Sequence, residues 1–346
     1  MMSHLHDEIY EQPAVVERLL REQQGKAKEI GAAIRAFKPA FVWIAARGTS
    51  DNAARYAQYL WGVHARMAVG LATPSVHTLY GSTPDLSRAL VIGISQSGQS
   101  EDVRRVLSDA KEQGALTVSI TNDDTSPLAQ VAAYHLPLGT GKELSVAATK
   151  TYTAELAAVA MIGAALIDRP EFWQALERLP GWMRATLDSA ADTPVWAERY
   201  RYMERYAVLG RGYNYCTAFE ISLKIKELCY IPGEEYSEAD FRHGPIAVVQ
   251  PGFPVILVAP TGDTFAKQYD LLQQLHKKGA ECLVVTNSTE CAGLARRVLP
   301  IPADVPEWLS PIVAVIPGQV FALSLAGARG LPIDQPIGLT KVTVTE

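Results

Sequence analysis

At 346 residues the chain is too long for one ordinary hydrophobic core, so two domains are expected. With 48% apolar and 20% charged residues it has the composition of a folded globular protein, which excludes disordered and fibrous classes. A net charge of −5, with no run of Lys or Arg able to track a phosphate backbone, argues against nucleic acid and leaves a small molecule as the expected ligand.

The start, Met1-Met2-Ser3-His4-Leu5-His6-Asp7-Glu8, has neither a basic nor an apolar leader region, so the chain is expected to stay in the cytoplasm. Residues 1–36 read as an amphipathic N-terminal helical segment. Phe41 to Ala46 reads as a strand, followed by the turn Arg47-Gly48-Thr49-Ser50 and an amphipathic helix over Asp51 to Val63. A second strand, Ala89 to Ser95, leads through Ser95-Gln96-Ser97-Gly98-Gln99-Ser100 into a helix over Glu101 to Gln113, and Leu116 to Thr121 is a third strand. Such a βαβ series predicts a parallel sheet with helices on both faces. From Ser145 to Arg199 the pattern is long helix, a break at Pro180-Gly181, then helix again. Its apolar part, Ala154 to Ile167, falls short of the roughly 20 residues of a membrane span and reads as a buried core helix. From Leu331 on, Pro332, Pro336 and Gly338 exclude a helix and leave an extended tail.

The series is written twice. Arg47-Gly48 recurs as Arg211-Gly212, and Ser97-Gly98-Gln99-Ser100 recurs as Thr261-Gly262-Asp263-Thr264, both 164 positions on. Gly114-Ala115 and Thr121-Asn122 recur as Gly279-Ala280 and Thr286-Asn287, and Leu136-Pro137 as Leu299-Pro300. The expected fold is therefore α/β, with two tandem doubly wound parallel-sheet domains of flavodoxin-like type related by an internal repeat. The first spans 37–199 with its following linker helices, the second 200–330, and the tail 331–346. The cysteines Cys216, Cys229, Cys282 and Cys291 show no C-x-x-C spacing, so neither a disulfide nor a metal site is expected.

The Ser95 to Ser100 turn places hydroxyls and free backbone N–H groups at a helix N-terminus, which favours an anion. With no Lys after the loop and no G-x-G-x-x-G, a phosphomonoester fits better than a nucleotide. A simple helix cap with turn serines fits a lone Ser-x-Ser-Gly equally well, but Arg47 to Ser50 supplies a second such turn at the same sheet edge. Further on, Glu220, Lys224 and Glu227 lie at i, i+4 and i+7 and share one helix face, either an exposed ion-paired face or a catalytic one. His243, in Phe241-Arg242-His243-Gly244-Pro245, is either a loop brace or a titrating group. Lys341, in the tail, reads by itself as a solubilising charge.

Taken together, Arg47-Gly48-Thr49-Ser50, Ser95-Gln96-Ser97-Gly98, Val146-Ala147-Ala148-Thr149-Lys150, Glu220 to Glu227, Arg242-His243-Gly244-Pro245 and Asp334-Gln335-Pro336 with Lys341 resemble the sugar isomerase (SIS) domain family over nearly the whole chain. The resemblance implies that Gly48, Thr49, Ser50, Ser95, Gln96, Ser97 and Ser100 bind the sugar phosphate and that Val146 and Ala148 line the sugar. It makes Glu227 the proton-transfer base, Lys224 its partner, His243 the ring-opening group shared across a homodimer, and Lys341 a Schiff-base lysine on a tail that closes as a lid. No cofactor or metal is implied. The motifs are similar to the isomerase half of the glutamine-dependent glucosamine-6-phosphate synthases. They depart from it at Arg47, Ala148 and Thr73-Pro74-Ser75, where they look like the stand-alone glucosamine-6-phosphate deaminases. The start at Met1 also leaves no room for the synthases' glutamine-hydrolysing part. The expected activity is conversion of glucosamine 6-phosphate, or a related amino sugar phosphate, to fructose 6-phosphate and ammonia. The alternatives are an aldose–ketose isomerase or glutamine-independent aminotransferase-like enzyme on hexose 6-phosphates, or a non-catalytic phosphosugar-binding regulator.

Overall fold

The computed structural model describes residues 3–341; residues 1–2 and 342–346, the outer ends of the expected N-terminal segment and tail, lie outside the described residues. Among the described residues ten strands form two sheets. The first holds β1 (Phe41–Ala45), β2 (Val69–Leu71), β3 (Ala89–Ser95), β4 (Leu116–Thr121) and β5 (Tyr134–Pro137) in the order β2-β1-β3-β4-β5. The second holds β6 (Tyr206–Gly210), β7 (Gly233–Ser237), β8 (Pro254–Val258), β9 (Glu281–Thr286) and β10 (Arg297–Pro300) in the order β10-β9-β8-β6-β7. Read from its other edge the second order is the first one again, and every pairing is parallel. The internal repeat is thus a repeat of topology, in the flavodoxin-like order.

The central strands β3 and β8 form where the sequence is apolar on both faces, whereas the edge strand β7, Gly-Glu-Glu-Tyr-Ser, is only partly buried. All seven residues of β3 are buried, as parallel strands covered by helices require. The long apolar helix Lys150–Ile167 packs against Gly48–His64, with the Trp61 indole N–H donating to the Val159 carbonyl at 3.3 Å. Tyr215–Cys229 packs on Ser310–Ala328 in the corresponding way, and Gly318 leaves room there for Ile221. Lys150–Ile167 and the stretch Glu307–Ala328 have the length and hydropathy of membrane spans, yet 89% of each is buried inside the protein, so both are core helices.

The expected long helix from Ser145 to Arg199 is corrected in two places. Ser145 to Thr149 is loop, and the break falls at Asp168, which adopts a left-handed conformation (φ 53) just ahead of Pro170. Pro170 opens the helix Pro170–Ser189, where its missing N–H has no partner to lose. Pro180 stays inside that helix because Leu176, Leu179, Trp182 and Met183 are all buried, and this packing outweighs one lost backbone hydrogen bond.

By contact the chain divides into two compact units, one of residues up to 13, 144–149 and 179–339, the other of 14–143, 150–178 and from 340. Two helices pass from one unit to the other, His4–Phe37 at Pro13 and Pro170–Ser189 beside Pro180. From Leu331 to Lys341 there is neither helix nor strand.

Within the first-sheet unit, a Cβ on Gly31 would lie 2.7 Å from the Ala165 Cβ and 3.0 Å from its carbonyl carbon, so backbone faces backbone. Gly31→Val is expected to cost about 1–3 kcal/mol of stability by overpacking. Denaturant unfolding checks this, and an unchanged midpoint would mean the two helices separate freely.

Candidate active site

In the order β2-β1-β3 the chain reverses direction across the sheet between β1 and β3, and the crevice outside their carboxyl ends is where such folds bind ligands. The turns Arg47 to Ser50 and Ser95 to Ser100 lie at those two ends. Gly98 holds a left-handed φ of 64, and any Cβ there would overlap the Ser126 hydroxyl, so only glycine fits. The loop is braced from within. Gly98 N–H donates to Ser95 Oγ at 3.1 Å, Asn122 N–H to the Gln96 carbonyl at 3.1 Å and Leu128 N–H to the Gly98 carbonyl at 3.2 Å. Gln99 N–H donates to Ser97 Oγ at 3.3 Å, so the Ser97 oxygen is an acceptor here while its proton remains to be given. Ser95 is buried, whereas Gln96, Ser97 and Ser100 keep part of their surface in solvent. The helix Glu101–Glu112 starts directly behind Ser100.

The neighbouring turn is fixed differently. Gly48 takes φ 53 as the helix Gly48–His64 begins, with Thr49 partly exposed. Ser50 faces away into the core, where its hydroxyl donates to buried Glu155 at 2.7 Å. Arg47 contacts Asp102 Oδ2 through both Nε and Nη2 at 2.7 Å, tying the β1 turn to the first turn of the β3 helix, and Asp102 is fully buried. Asp102 carried no signal in the sequence beyond being an acid in a first helical turn.

The corresponding loop of the second copy is occupied by the chain itself. Thr261 to Thr264 occupies the place of Ser97 to Ser100, and there a carboxylate of the chain itself sits on the loop. Asp263 N–H and the Thr264 hydroxyl donate to Glu307 at 2.8 Å each, and Thr264 N–H at 3.3 Å. A Cβ on Gly262 would collide with that carboxylate. In the first copy the carboxylate after the fifth strand, Glu143, lies elsewhere: it accepts from Thr151 N–H at 3.1 Å and from Lys341 Nζ at 2.7 Å. Lys341 is therefore pinned by a buried partner rather than waving in solvent.

In the second-sheet unit, Lys224 is almost completely buried, with Nζ 2.5 Å from Glu227 and 3.4 Å from Glu220. The exposed-face reading of this trio is excluded: Glu220 is also buried, and only Glu227 reaches solvent, with 23% of its side chain accessible. His243 is exposed at the end of the helix Glu238–Arg242, next to a cluster in which buried Glu238 takes both Arg211 and Arg242. Val146 and Ala148 are partly exposed on the loop before Lys150. Val146 N–H donates to the Asp334 carbonyl at 3.0 Å, and the Asp334 carboxylate accepts from His4 and Leu5 N–H at 3.1 and 2.9 Å. Glu8 receives the N–H groups of Leu144 and Ser145. The expected residues thus divide between the units. Gly48, Thr49, Ser50, Ser95, Gln96, Ser97, Ser100 and Lys341 belong to one; Val146, Ala148, Lys224, Glu227 and His243 belong to the other.

The SIS domain model matches this chain twice, over residues 41–165 and 201–329. The chain belongs to the SIS domain family. The glutamine–fructose-6-phosphate aminotransferase of Thermus thermophilus is 32% identical over 98% of this chain, which spans 58% of that relative's length. The C-terminal domain of the glucosamine-fructose-6-phosphate aminotransferase of Francisella tularensis superposes with a TM-score of 0.87 at 25% identity, covering 97% of this chain and 99% of that one. The Thermotoga maritima glucosamine-6-phosphate deaminase superposes with a TM-score of 0.83 over 99% of this chain and all of its own, and at 22% identity shares the fold.

Replacing Glu307 by Ala strips three donors at the second loop of their anion. Stability is expected to fall by about 1–3 kcal/mol, measured by denaturant unfolding; no change would mean the carboxylate is not what the loop requires.

Proposed function

We propose that this protein is a phosphosugar isomerase that deaminates an amino sugar phosphate, with glucosamine 6-phosphate as the expected substrate and fructose 6-phosphate and ammonia as products. The observation that carries the reading is the difference between the two loops. One copy accommodates a carboxylate of the chain, and the other presents partly exposed hydroxyls and backbone donors where a phosphomonoester fits. The similarity to the aminotransferases' isomerase portion supports the substrate class. The departures at Arg47, Ala148 and Thr73 to Ser75 favour deamination over synthesis.

The chemistry assigns each remaining group. Ser97, Ser100 and the loop N–H groups hold the phosphate, and His243 moves the proton that opens the ring. Glu227 takes a proton from C2 and returns it to C1, leaving an imine at C2; buried Lys224, 2.5 Å away, holds that carboxylate in position. The Lys341 amine attacks the C2 imine, ammonia departs, and water then hydrolyses the new Schiff base to release ketose and lysine. The net change is one water consumed and one ammonia released. The exposed position of His243 suits a group that completes a neighbouring subunit's site, so a homodimer is part of the proposal.

The deciding assay adds glucosamine 6-phosphate and measures ammonia and fructose 6-phosphate. Interconversion of hexose 6-phosphates without ammonia would favour the simple aldose–ketose isomerase, and tight binding without turnover the regulator. Ser97→Ala is expected to weaken sugar-phosphate binding by about 1–3 kcal/mol with little loss of stability, and equal affinity by calorimetry would remove the phosphate assignment. Lys341→Ala is expected to lower turnover at least a hundredfold, about 3 kcal/mol in the barrier, and also to lower the thermal midpoint, because buried Glu143 loses its cation partner. Normal turnover in that variant would sink the Schiff base.

A further inference from the structure

At the amino ends of the first-sheet strands, the edge opposite the Ser95 to Ser100 loop, lies a cavity of about 800 Å³, within the range of small-molecule sites. Its lining includes Arg35, Lys38, His64, Arg66 and Arg169, with aliphatic side chains such as Ile34 and Leu166 between them and no carboxylate. In a chain of net charge −5 such a one-sided collection is unexpected. Three helices, His4–Phe37, Gly48–His64 and Lys150–Ile167, end around it.

Basic residues at helix carboxyl ends ordinarily complement the helix dipole, and that explains part of the set. Arg35 caps the Ala165 carbonyl, and Arg169 pairs with Glu171 and lies over the Phe172 ring. Lys38 and Arg66 follow two of these helix ends as well, but they differ from Arg35 and Arg169 in their partners. Among the described residues neither has a recorded ion pair, and both stand in the left-handed region, φ 53 and 55, where glycine ends a helix without strain. They account for two of the four non-glycine residues with positive φ among those described. Two cations on positive-φ positions, both with side chains reaching solvent, thus line one cavity together with aliphatic residues.

We propose that this cavity is a second ligand site, separate from the sugar-phosphate loop, that binds a small organic phosphate with its phosphate on Lys38 and Arg66 and its body on the aliphatic floor. Lys and Arg together match a doubly charged phosphate better than a singly charged carboxylate.

The test uses the full-length chain carrying Ser97→Ala and Ser100→Ala, so that the loop is silenced, with and without Lys38→Gly and Arg66→Gly. Uridine diphosphate and inorganic pyrophosphate serve as probes in calorimetry and thermal unfolding. The expected result is binding of uridine diphosphate that weakens at least tenfold in the glycine variant, while its ligand-free thermal midpoint stays level or rises because glycine relieves the φ. Stronger binding of uridine diphosphate than of pyrophosphate supports a role for the aliphatic floor. Three results would overturn the proposal: no binding of either probe, binding unchanged by the glycine substitutions, or a lowered ligand-free midpoint, which would make the two cations structural caps.

Discussion

The first N–H groups of an α-helix have no partner within the helix, and the organisation of this protein follows from how that constraint is met twice. After β3 the helix Glu101–Glu112 opens behind a loop of small hydroxyl residues; after β8 the helix Phe265–Lys277 opens behind a loop with the same ancestry. At the second the chain supplies its own anion, Glu307, on two N–H groups and a hydroxyl. At the first the corresponding carboxylate is drawn off to Thr151 and Lys341. The repeat thus carries two similar loops at corresponding helix ends, and a carboxylate of the chain sits on one of them and not on the other. The copies need no difference in fold to differ at this point, because the sheet order is the same and the change lies in the loop residues and in what sits on the helix end.

The second-sheet unit concentrates its charge in the opposite manner. Burying an ammonium is expensive unless it is paired, and Lys224 is given two carboxylates rather than one. The trio has two carboxyl groups to one amine, and Glu227 is the one of the three whose side chain solvent reaches. An arrangement meant only for stability would be served as well by apolar side chains of similar volume. Retaining an excess carboxylate there makes sense if that carboxylate moves protons, which is why burial, and not the i, i+4, i+7 spacing, separates a catalytic face from a decorated surface.

Much of this was legible in the sequence, for physical reasons. The limits of β3 and β4 could be read to the residue because β3 is apolar up to Ser95, where the polar loop begins, and β4, mostly β-branched, alternates apolar and hydroxyl residues between Ala115 and Asn122. The repeat was legible because it survives in the turn residues, where backbone geometry restricts the choice. The partners of polar side chains were not. Nothing near Ser50 in sequence announces Glu155, nothing near Arg47 announces Asp102, and Thr264 is 43 residues from Glu307. Pro180 misled because a local helix breaker was weighed without the four buried side chains that hold its helix together.

The tail shows how far such long-range bonds change a functional argument. Its prolines and glycine exclude a helix, which suggests a loose strap whose removal would leave the body untouched. The hydrogen bonds say otherwise. Asp334 accepts from His4, Leu5 and Val146, the Ile337 N–H donates to the Tyr230 hydroxyl at 2.6 Å, and Lys341 reaches Glu143. Removing the segment would strip the Val146 amide and the first N–H groups of the helix His4–Phe37 of their acceptors, and would loosen the very loop on which Val146 and Ala148 sit. Loss of activity in a truncated protein would then have two causes that no rate measurement separates. A change confined to the Lys341 amine leaves Asp334 and Ile337 in place and removes the amine together with its bond to buried Glu143, so the contribution of the lysine can be told from that of the strap that carries it once the loss of stability is measured beside the rate.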